Sequence, residues 1–195
     1  MRFLRNGRRN GNADDDASAA SMNHDSYPEA YIRGILGEVK TIAMVGASAN
    51  QARPSYFVLK YLAGRGYTML PINPGLAGGT IDGIKVYGSL AEAPGPIDMV
   101  DIFRNSAAAD AVVDEALALV PLPGVIWMQL SVRNEVAAAR AEARGVKVVM
   151  NRCPKIEYGR LSGEIGWTGV NSRVISAKKP VLAGAGFQRL TIRPR

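Results

Sequence analysis

Residues 46–53 place small, hydroxyl and amide side chains and an arginine directly after the apolar run TIAMV. A turn made of Gly46, Ala47, Ser48, Ala49, Asn50 and Gln51 can aim backbone N–H groups at an anion, and a helix opened by Pro54 would add its positive end. The Ser48 hydroxyl can donate a hydrogen bond, and the Arg53 guanidinium can pair with two phosphate oxygens. The segment predicts a pyrophosphate cradle. A tight turn of small residues with Arg53 in solvent would explain the same pattern.

The same segment departs from the glycine-rich turn G-x-G-x-x-G of dinucleotide-binding domains, because Ser48 and Gln51 stand where glycines are expected. NAD also needs an acid roughly 20 residues later for its ribose hydroxyls. Here the chain has PINPG, with Asn73 and Pro74, and neither an acid nor an arginine for NADP. A nucleotide whose ribose carries a phosphate fits better, and coenzyme A (CoA) is one such nucleotide. A proline-rich loop that only ends a strand is the alternative.

Two further strand ends carry candidate ligand contacts. Arg104 follows VDIF and could approach phosphates across a crevice, and Gln129 follows VIWM and could hydrogen-bond the amides of a pantetheine arm. Each residue also has an ordinary explanation, since an arginine after a strand commonly points into solvent and Trp127 and Met128 are typical core residues.

The candidates for catalysis are few. The one histidine, His24, falls in a segment of low apolar content, and Cys153 is the one cysteine. No Ser-His or Cys-His pair is expected within the folded domain, and no cysteine–histidine cluster could hold a metal. Asp98 and Asp101 are three residues apart on one predicted strand and point to opposite faces. We therefore expect no catalytic residues and no metal site.

The elements that must position these residues alternate along the chain. Short apolar runs at residues 41–46, 68–73, 98–103, 124–130 and 146–150 predict buried strands, with Pro71 breaking the second near its end. Helical spacing predicts helices over residues 31–39, 54–64, 106–119 and 132–145, and one short strand is expected at 85–87. This order predicts an α/β, Rossmann-like, doubly wound and mostly parallel sheet in a single domain, with ligands at the carboxyl ends of the strands.

Composition sets the domain limits. We expect a disordered leader over residues 1–25, a domain over 26–160 and a basic extension over 161–195. The net charge of +7 belongs almost wholly to the C-terminal tail, because residues 26–159 carry thirteen basic and twelve acidic side chains. A nearly neutral domain lacks the basic surface of a nucleic-acid-binding protein. No apolar run approaches the ~20 residues of a membrane span. A cytoplasmic protein is expected, and homo-oligomerisation stays open.

Several motifs together resemble a known family. They are VGAS followed four residues later by RPSY, then PINP, VDIFRNS, WMQL, and NRCPKIEYGRL at residues 151–161. In this order they are similar to the stand-alone CoA-binding proteins, which resemble the N-terminal domain of the succinyl-CoA synthetase alpha subunit. The resemblance covers about residues 28–178, including GVNSRVISAKKP. It implies that Ser48 to Gln51 hold the pyrophosphate, that Asn73 and Pro74 border the adenosine, and that Met128 and Gln129 line the route of the arm.

The chain also departs from that family. The synthetases have a lysine after their proline-glycine turn, where this chain has Leu76 and Ala77, and their phosphorylated histidine lies in a later domain that is missing here. Asn151 stands where relatives often carry an acid. We expect CoA or acyl-CoA binding without catalysis. An NAD(P)-linked oxidoreductase is the alternative, and a mixed disulfide between Cys153 and the CoA thiol is a third hypothesis.

Overall fold

The computed structural model of the protein describes residues 22–164. Most of the predicted leader, most of the predicted extension and the motif GVNSRVISAKKP at residues 169–180 lie outside the described residues. Residues 22–25, which the sequence assigns to the leader, are described. His24 among them is buried, with 9% of its surface exposed.

The structure contains seven strands among the described residues. In chain order they are β1 Thr41–Val45, β2 Thr68–Ile72, β3 Thr80–Ile81, β4 Ile84–Lys85, β5 Met99–Ile102, β6 Val125–Met128 and β7 Lys147–Val149. Five of them form a parallel central sheet in the order β2-β1-β5-β6-β7. Strands β3 and β4 form a separate antiparallel pair. The strands of the sheet are almost entirely buried, as expected for a parallel sheet covered on both faces.

Helices cover both faces of this sheet. They are α1 Glu29–Glu38, α2 Pro54–Gly64, α3 Ser106–Leu117, α4 Glu135–Glu142 and α5 Pro154–Ser162. Buried side chains of α1, α2 and α5 pack in one core with residues such as Met44 and Trp127. Those of α3 and α4 pack in the second core, with residues such as Val100 and Ile126. The predicted α/β, doubly wound, Rossmann-like single domain is confirmed.

Strand β2 differs from the sequence expectation, because Pro71 lies inside it instead of breaking it. β2 is an edge strand paired on one side with β1, and Met44 is the partner of Pro71 in the register. A proline lacks only the N–H, which an edge strand can spare. On the open side, the Pro71 carbonyl accepts a hydrogen bond from the Tyr87 N–H at 2.9 Å.

The order in which the chain adds strands to the sheet reverses at β1. The chain runs from β1 outward to β2 and then returns to place β5 on the other side of β1. The carboxyl ends of β1 and β5 therefore flank the switch point, which is where open α/β sheets bind ligands. Within residues 22–164, no helix is long and apolar enough to cross a membrane.

Candidate functional site

Gly46 opens the loop between β1 and α2, and only glycine fits there. Its φ is +89°, a conformation that other residues rarely adopt. A Cβ at this position would lie 3.1 Å from Cδ of Arg104 and 3.2 Å from the carbonyl carbon of Phe103. The glycine thus lets the loops after β1 and β5 approach each other at the switch point.

The rest of this loop is held by its own hydrogen bonds. The Asn50 N–H donates to the Ser48 hydroxyl oxygen at 3.2 Å, and the Ala52 N–H donates to the Asn50 side-chain oxygen at 2.9 Å. The Arg53 N–H donates to the Asn50 carbonyl at 3.0 Å. Ser48 keeps its own O–H as a donor, and the exposed side chains of Ala49, Gln51 and Arg53 face outward.

Three consecutive N–H groups in this loop lack an acceptor among residues 22–164. They belong to Ala47, Ser48 and Ala49, which follow the bonded N–H of Gly46. Ala47 is fully buried, and buried backbone N–H groups are nearly always paired with protein, water or ligand. Helix α2 begins eight residues after Gly46, at Pro54, with no side-chain cap. The loop is therefore a concentration of available donors.

Asn73 ties the loops after β1 and β2 together. Its side-chain N–H donates to the Ala47 carbonyl at 2.7 Å. Its side-chain oxygen accepts from the Gly75 N–H at 2.9 Å and caps a short 3-10 helix at Pro74–Leu76. Both functional atoms of the amide are thus used within the protein. The residue fixes the shape of the site, and Pro74 presents the neighbouring apolar surface.

A cavity of about 260 Å³, which we call the β1–β2 cavity, lies beside this junction. Of the residues predicted from the sequence, Gly46, Asn73, Pro74 and Arg104 line it. Glu115 of α3 and Ser89 also line it, and the sequence did not indicate either. Arg104 is exposed and forms no ion pair with a described carboxylate.

A second cavity of about 460 Å³, the β6 cavity, opens on the other side of the same loop. Ala52 and Pro54 of the loop line it, so the loop runs from one cavity to the other. Its apolar walls are Phe57, Val58, Phe103, Leu130, Val132 and Ile156, and its other lining side chains are Gln129, Cys153 and Lys155. The apolar residues come from four separate segments of the chain, so the sequence alone does not show that they line one cavity.

Gln129 is anchored in this cavity by a buried carboxyl group. Its side-chain nitrogen lies 3.0 and 3.2 Å from the two oxygens of Asp101, which is fully buried. Burial raises the pKa of Asp101 to about 8, against a smaller opposing effect of the Gln129 hydrogen bond. The raised pKa means that the protonated form of Asp101 predominates at neutral pH. Met128, which precedes Gln129 in the chain, is fully buried in the core and lines neither cavity.

Cys153 is a buried thiol at the start of α5. Burial raises its pKa, as does Asp101, while hydrogen bonding from the backbone of Ile156 and Lys155 and the charge of Lys155 act in the opposite direction. A thiol with a raised pKa is mostly protonated and a poor nucleophile. The cysteine therefore serves as a small apolar part of the wall.

Asn151 and His24 both form contacts with other residues of the domain. Asn151 has a φ of +52°, which asparagine tolerates, and its side chain accepts from the Ser131 N–H at 2.9 Å. His24 contacts the Tyr27 hydroxyl at 2.8 Å and Glu142 at 3.3 Å. The expectation that His24 lies in a disordered segment is not what the structure shows, because these two partners pack it against the domain.

The described residues contain no cluster of metal-ligating side chains. Apart from Met128, which is in the core, the predicted site residues lie in the two cavities and in the loop between β1 and α2. The four that line the β1–β2 cavity lie together, Gln129 lies in the β6 cavity, and the loop contributes Ala47, Ser48, Ala49, Asn50, Gln51 and Arg53.

The chain is similar in sequence to a known protein and similar in sequence and fold to solved structures. The chain is 38% identical over 133 residues to the uncharacterized protein YneT of Bacillus subtilis strain 168, covering 67% of this chain and 93% of that protein. A Thermus thermophilus structure, cell-free ID.343, is 34% identical with a TM-score of 0.65 and covers 69% of this chain and 98% of its own. A hypothetical protein from Pyrococcus horikoshii OT3 is 34% identical with a TM-score of 0.65, covering 70% and 94%.

The family described as "CoA binding domain" matches residues 40–159, which include β1 to β7 and the loops that form both cavities. The resemblance inferred from the motifs is thereby confirmed, and the chain belongs to the CoA binding domain family.

Proposed function

We propose that the protein binds CoA, with the phosphates at the loop between β1 and α2. The observation that carries the proposal is the row of three backbone N–H groups at Ala47 to Ala49 that have no described acceptor, beside the N-terminus of α2. Such a row is a site for an anion. Membership in the CoA binding domain family supports CoA as the source of that anion.

Arginine side chains supply the charge that CoA phosphates require. Arg53 stands at the start of α2, Arg104 lines the β1–β2 cavity together with Glu115, and neither arginine forms an ion pair with a described carboxylate. In the proposed pose both guanidinium groups donate to phosphates. This role replaces the lysine that the synthetases carry where this chain has Leu76.

The adenosine occupies the β1–β2 cavity in this proposal. Pro74 gives a flat apolar wall, and Asn73 holds that wall against Ala47 without offering a carboxylate to a free ribose diol. Glu115 is an acid in the lining, but it belongs to α3 and not to the end of β2. The family match does not favour the NAD(P)-linked alternative.

The pantetheine arm extends from the loop into the β6 cavity. Gln129 lines that cavity and uses its side-chain nitrogen on Asp101, while its side-chain oxygen has no described donor. An amide N–H of the arm can donate to this oxygen. Met128, which the resemblance placed on this route, is in the core, so the proposal assigns the contact to Gln129 alone.

Isothermal titration calorimetry with CoA, dephospho-CoA and NAD tests the proposal. CoA is expected to bind most tightly, and Arg53→Ala and Arg104→Ala should each weaken its binding by about 1–3 kcal/mol, as for a lost charge-assisted hydrogen bond. Arg144→Ala is the matched control, because this exposed arginine follows α4 at the opposite edge of the sheet. Binding of NAD in place of CoA, or an equal loss in Arg144→Ala, would contradict the proposal.

A further inference from the structure

The β6 cavity is far more apolar than a pantetheine arm requires. Six of its lining side chains are aliphatic or aromatic, and Cys153 adds a protonated thiol to the same wall. The arm carries a hydroxyl, two amides and a terminal thiol among its methyl and methylene groups, so an added hydrocarbon chain gives these walls more apolar surface to bury. At about 460 Å³ the cavity falls in the size range of small-molecule sites, about 300–1,000 Å³.

Large apolar side chains also gather at the mouth of this cavity. Phe57 and Leu130 each expose 52% of their surface and Ile156 exposes 44%, and all three line the cavity. Exposed apolar residues are ordinary when scattered, but a contiguous group around a concave site marks a binding surface. Five large hydrophobic side chains are exposed among residues 22–164, so three of the five surround this one opening.

The cavity borders the loop to which the phosphate contacts are assigned. Ala52 and Pro54 flank Arg53 in sequence and form part of the cavity wall. A group attached to the far end of a molecule whose phosphates lie on this loop would therefore reach the apolar walls. Lys155 is the one charged side chain in the lining, and its ammonium lies 5.7 Å from the centre of the Tyr61 ring, a favourable cation–π distance.

We propose, on the basis of the proposed CoA binding, that the β6 cavity holds the aliphatic acyl group of an acyl-CoA thioester. The preferred ligand is a medium-chain acyl-CoA and not free CoA. The walls take the hydrocarbon chain, and Phe57, Leu130 and Ile156 close over it at the mouth. Short or carboxylated acyl groups do not cover these apolar walls, so they bind no better than CoA.

Calorimetry with CoA and with acetyl-, butyryl-, hexanoyl- and octanoyl-CoA measures the effect of chain length. Affinity should rise with length, by up to about fourfold for each methylene fully buried. Leu130→Gln and Ile156→Gln should bring the ratio of octanoyl-CoA to CoA affinity toward one. Val136→Gln is the control, because Val136 is 70% exposed and lies on α4 outside the cavity.

Two outcomes separate this inference from the proposed function. If CoA binds and acylation adds nothing at any length, the acyl site is refuted while CoA binding stands. If CoA itself does not bind, the proposed function fails and the acyl site fails with it. Sedimentation velocity checks a second copy of the chain as the occupant. A dimer that Leu130→Gln separates, together with no chain-length effect, would also overturn the acyl site.

Discussion

The buried carboxyl group of Asp101 should make the stability of this protein depend on pH in an unusual direction. The side chain is fully buried and its one hydrogen-bond partner among the described residues is Gln129. The substitution Asp101→Asn keeps the size of the side chain and removes the titrating group. The comparison of the two proteins therefore isolates the proton on this one residue.

The magnitude follows from the two pKa values. Folding raises the pKa of Asp101 from 3.8 to about 8, mainly through burial. Between these values the native protein holds a proton that the unfolded chain releases, so the free energy of unfolding falls as pH rises, by about 1.4 kcal/mol per pH unit. The total fall is about 5–6 kcal/mol and levels off above the native pKa. This is comparable with the whole stability of a small domain.

Urea unfolding at intervals from about pH 5 to about pH 9 measures this effect. The difference between the wild-type protein and Asp101→Asn is the informative quantity, because other titrating groups are common to both and cancel. We expect that difference to change by about 1.4 kcal/mol per pH unit up to about pH 8 and then to stay constant. Asp110→Asn, at an exposed ion pair with Arg140, controls for loss of a surface carboxylate. A flat difference for Asp101→Asn would refute the reasoning.

Two further substitutions test the loops of the site. Gly46→Ala should lower the free energy of unfolding by about 1–3 kcal/mol, because of its positive φ and its contact with Arg104, as measured by urea unfolding. Gly34→Ala in α1 meets no atom within 4 Å and should be neutral or stabilising. Asn73→Ala removes two hydrogen bonds that shape the site and should weaken CoA binding in calorimetry; unchanged binding would count against this role.

Much of the fold can be predicted from the sequence because parallel strands are continuous apolar runs. All five strands of the sheet and four of the five helices lie where the runs and the helical spacing place them, with ends shifted by a few residues. Helix α5 is not predicted, because it buries only Pro154, Tyr158 and Gly159, which form no apolar run. Strand β2 keeps Pro71 because an edge strand has an open side, and a single sequence does not reveal which strand is at the edge.

The site can be predicted in part for a related reason. Strand ends are local features, so Gly46, Asn73, Arg104 and Gln129 can be found from the sequence. What each side chain does depends on partners far along the chain: Asn73 bonds to a carbonyl 26 residues away and Gln129 to a carboxyl group 28 residues away. The β6 cavity needs four distant segments at once, so only the folded topology shows it.

Asparagine side chains hold this edge of the sheet, and aspartates would serve as well for the hydrogen bonds that the asparagine oxygens accept. The amide oxygens accept backbone N–H groups in the loops and helix starts around the site, at Asn50, Asn73, Asn105, Asn134 and Asn151. Aspartate is an equally good residue at a helix N-cap and interacts favourably with the helix dipole. The neutral amides therefore cost nothing in structure, and they leave the charges of Arg53 and Arg104 undiminished for a ligand with several phosphates.

Asn105→Asp tests whether the neutral charge of these side chains contributes to ligand binding. Asn105 caps α3 by accepting from the Ala108 N–H at 2.9 Å, and it directly follows Arg104. The aspartate should keep the cap and leave the free energy of unfolding unchanged or slightly higher. It should weaken CoA binding by about twofold to tenfold in dilute buffer, through repulsion of the phosphates, and less at high salt, where the charges are screened. Unchanged affinity at low salt, or a loss that persists at high salt, would show that the neutrality of this edge has no part in holding the ligand.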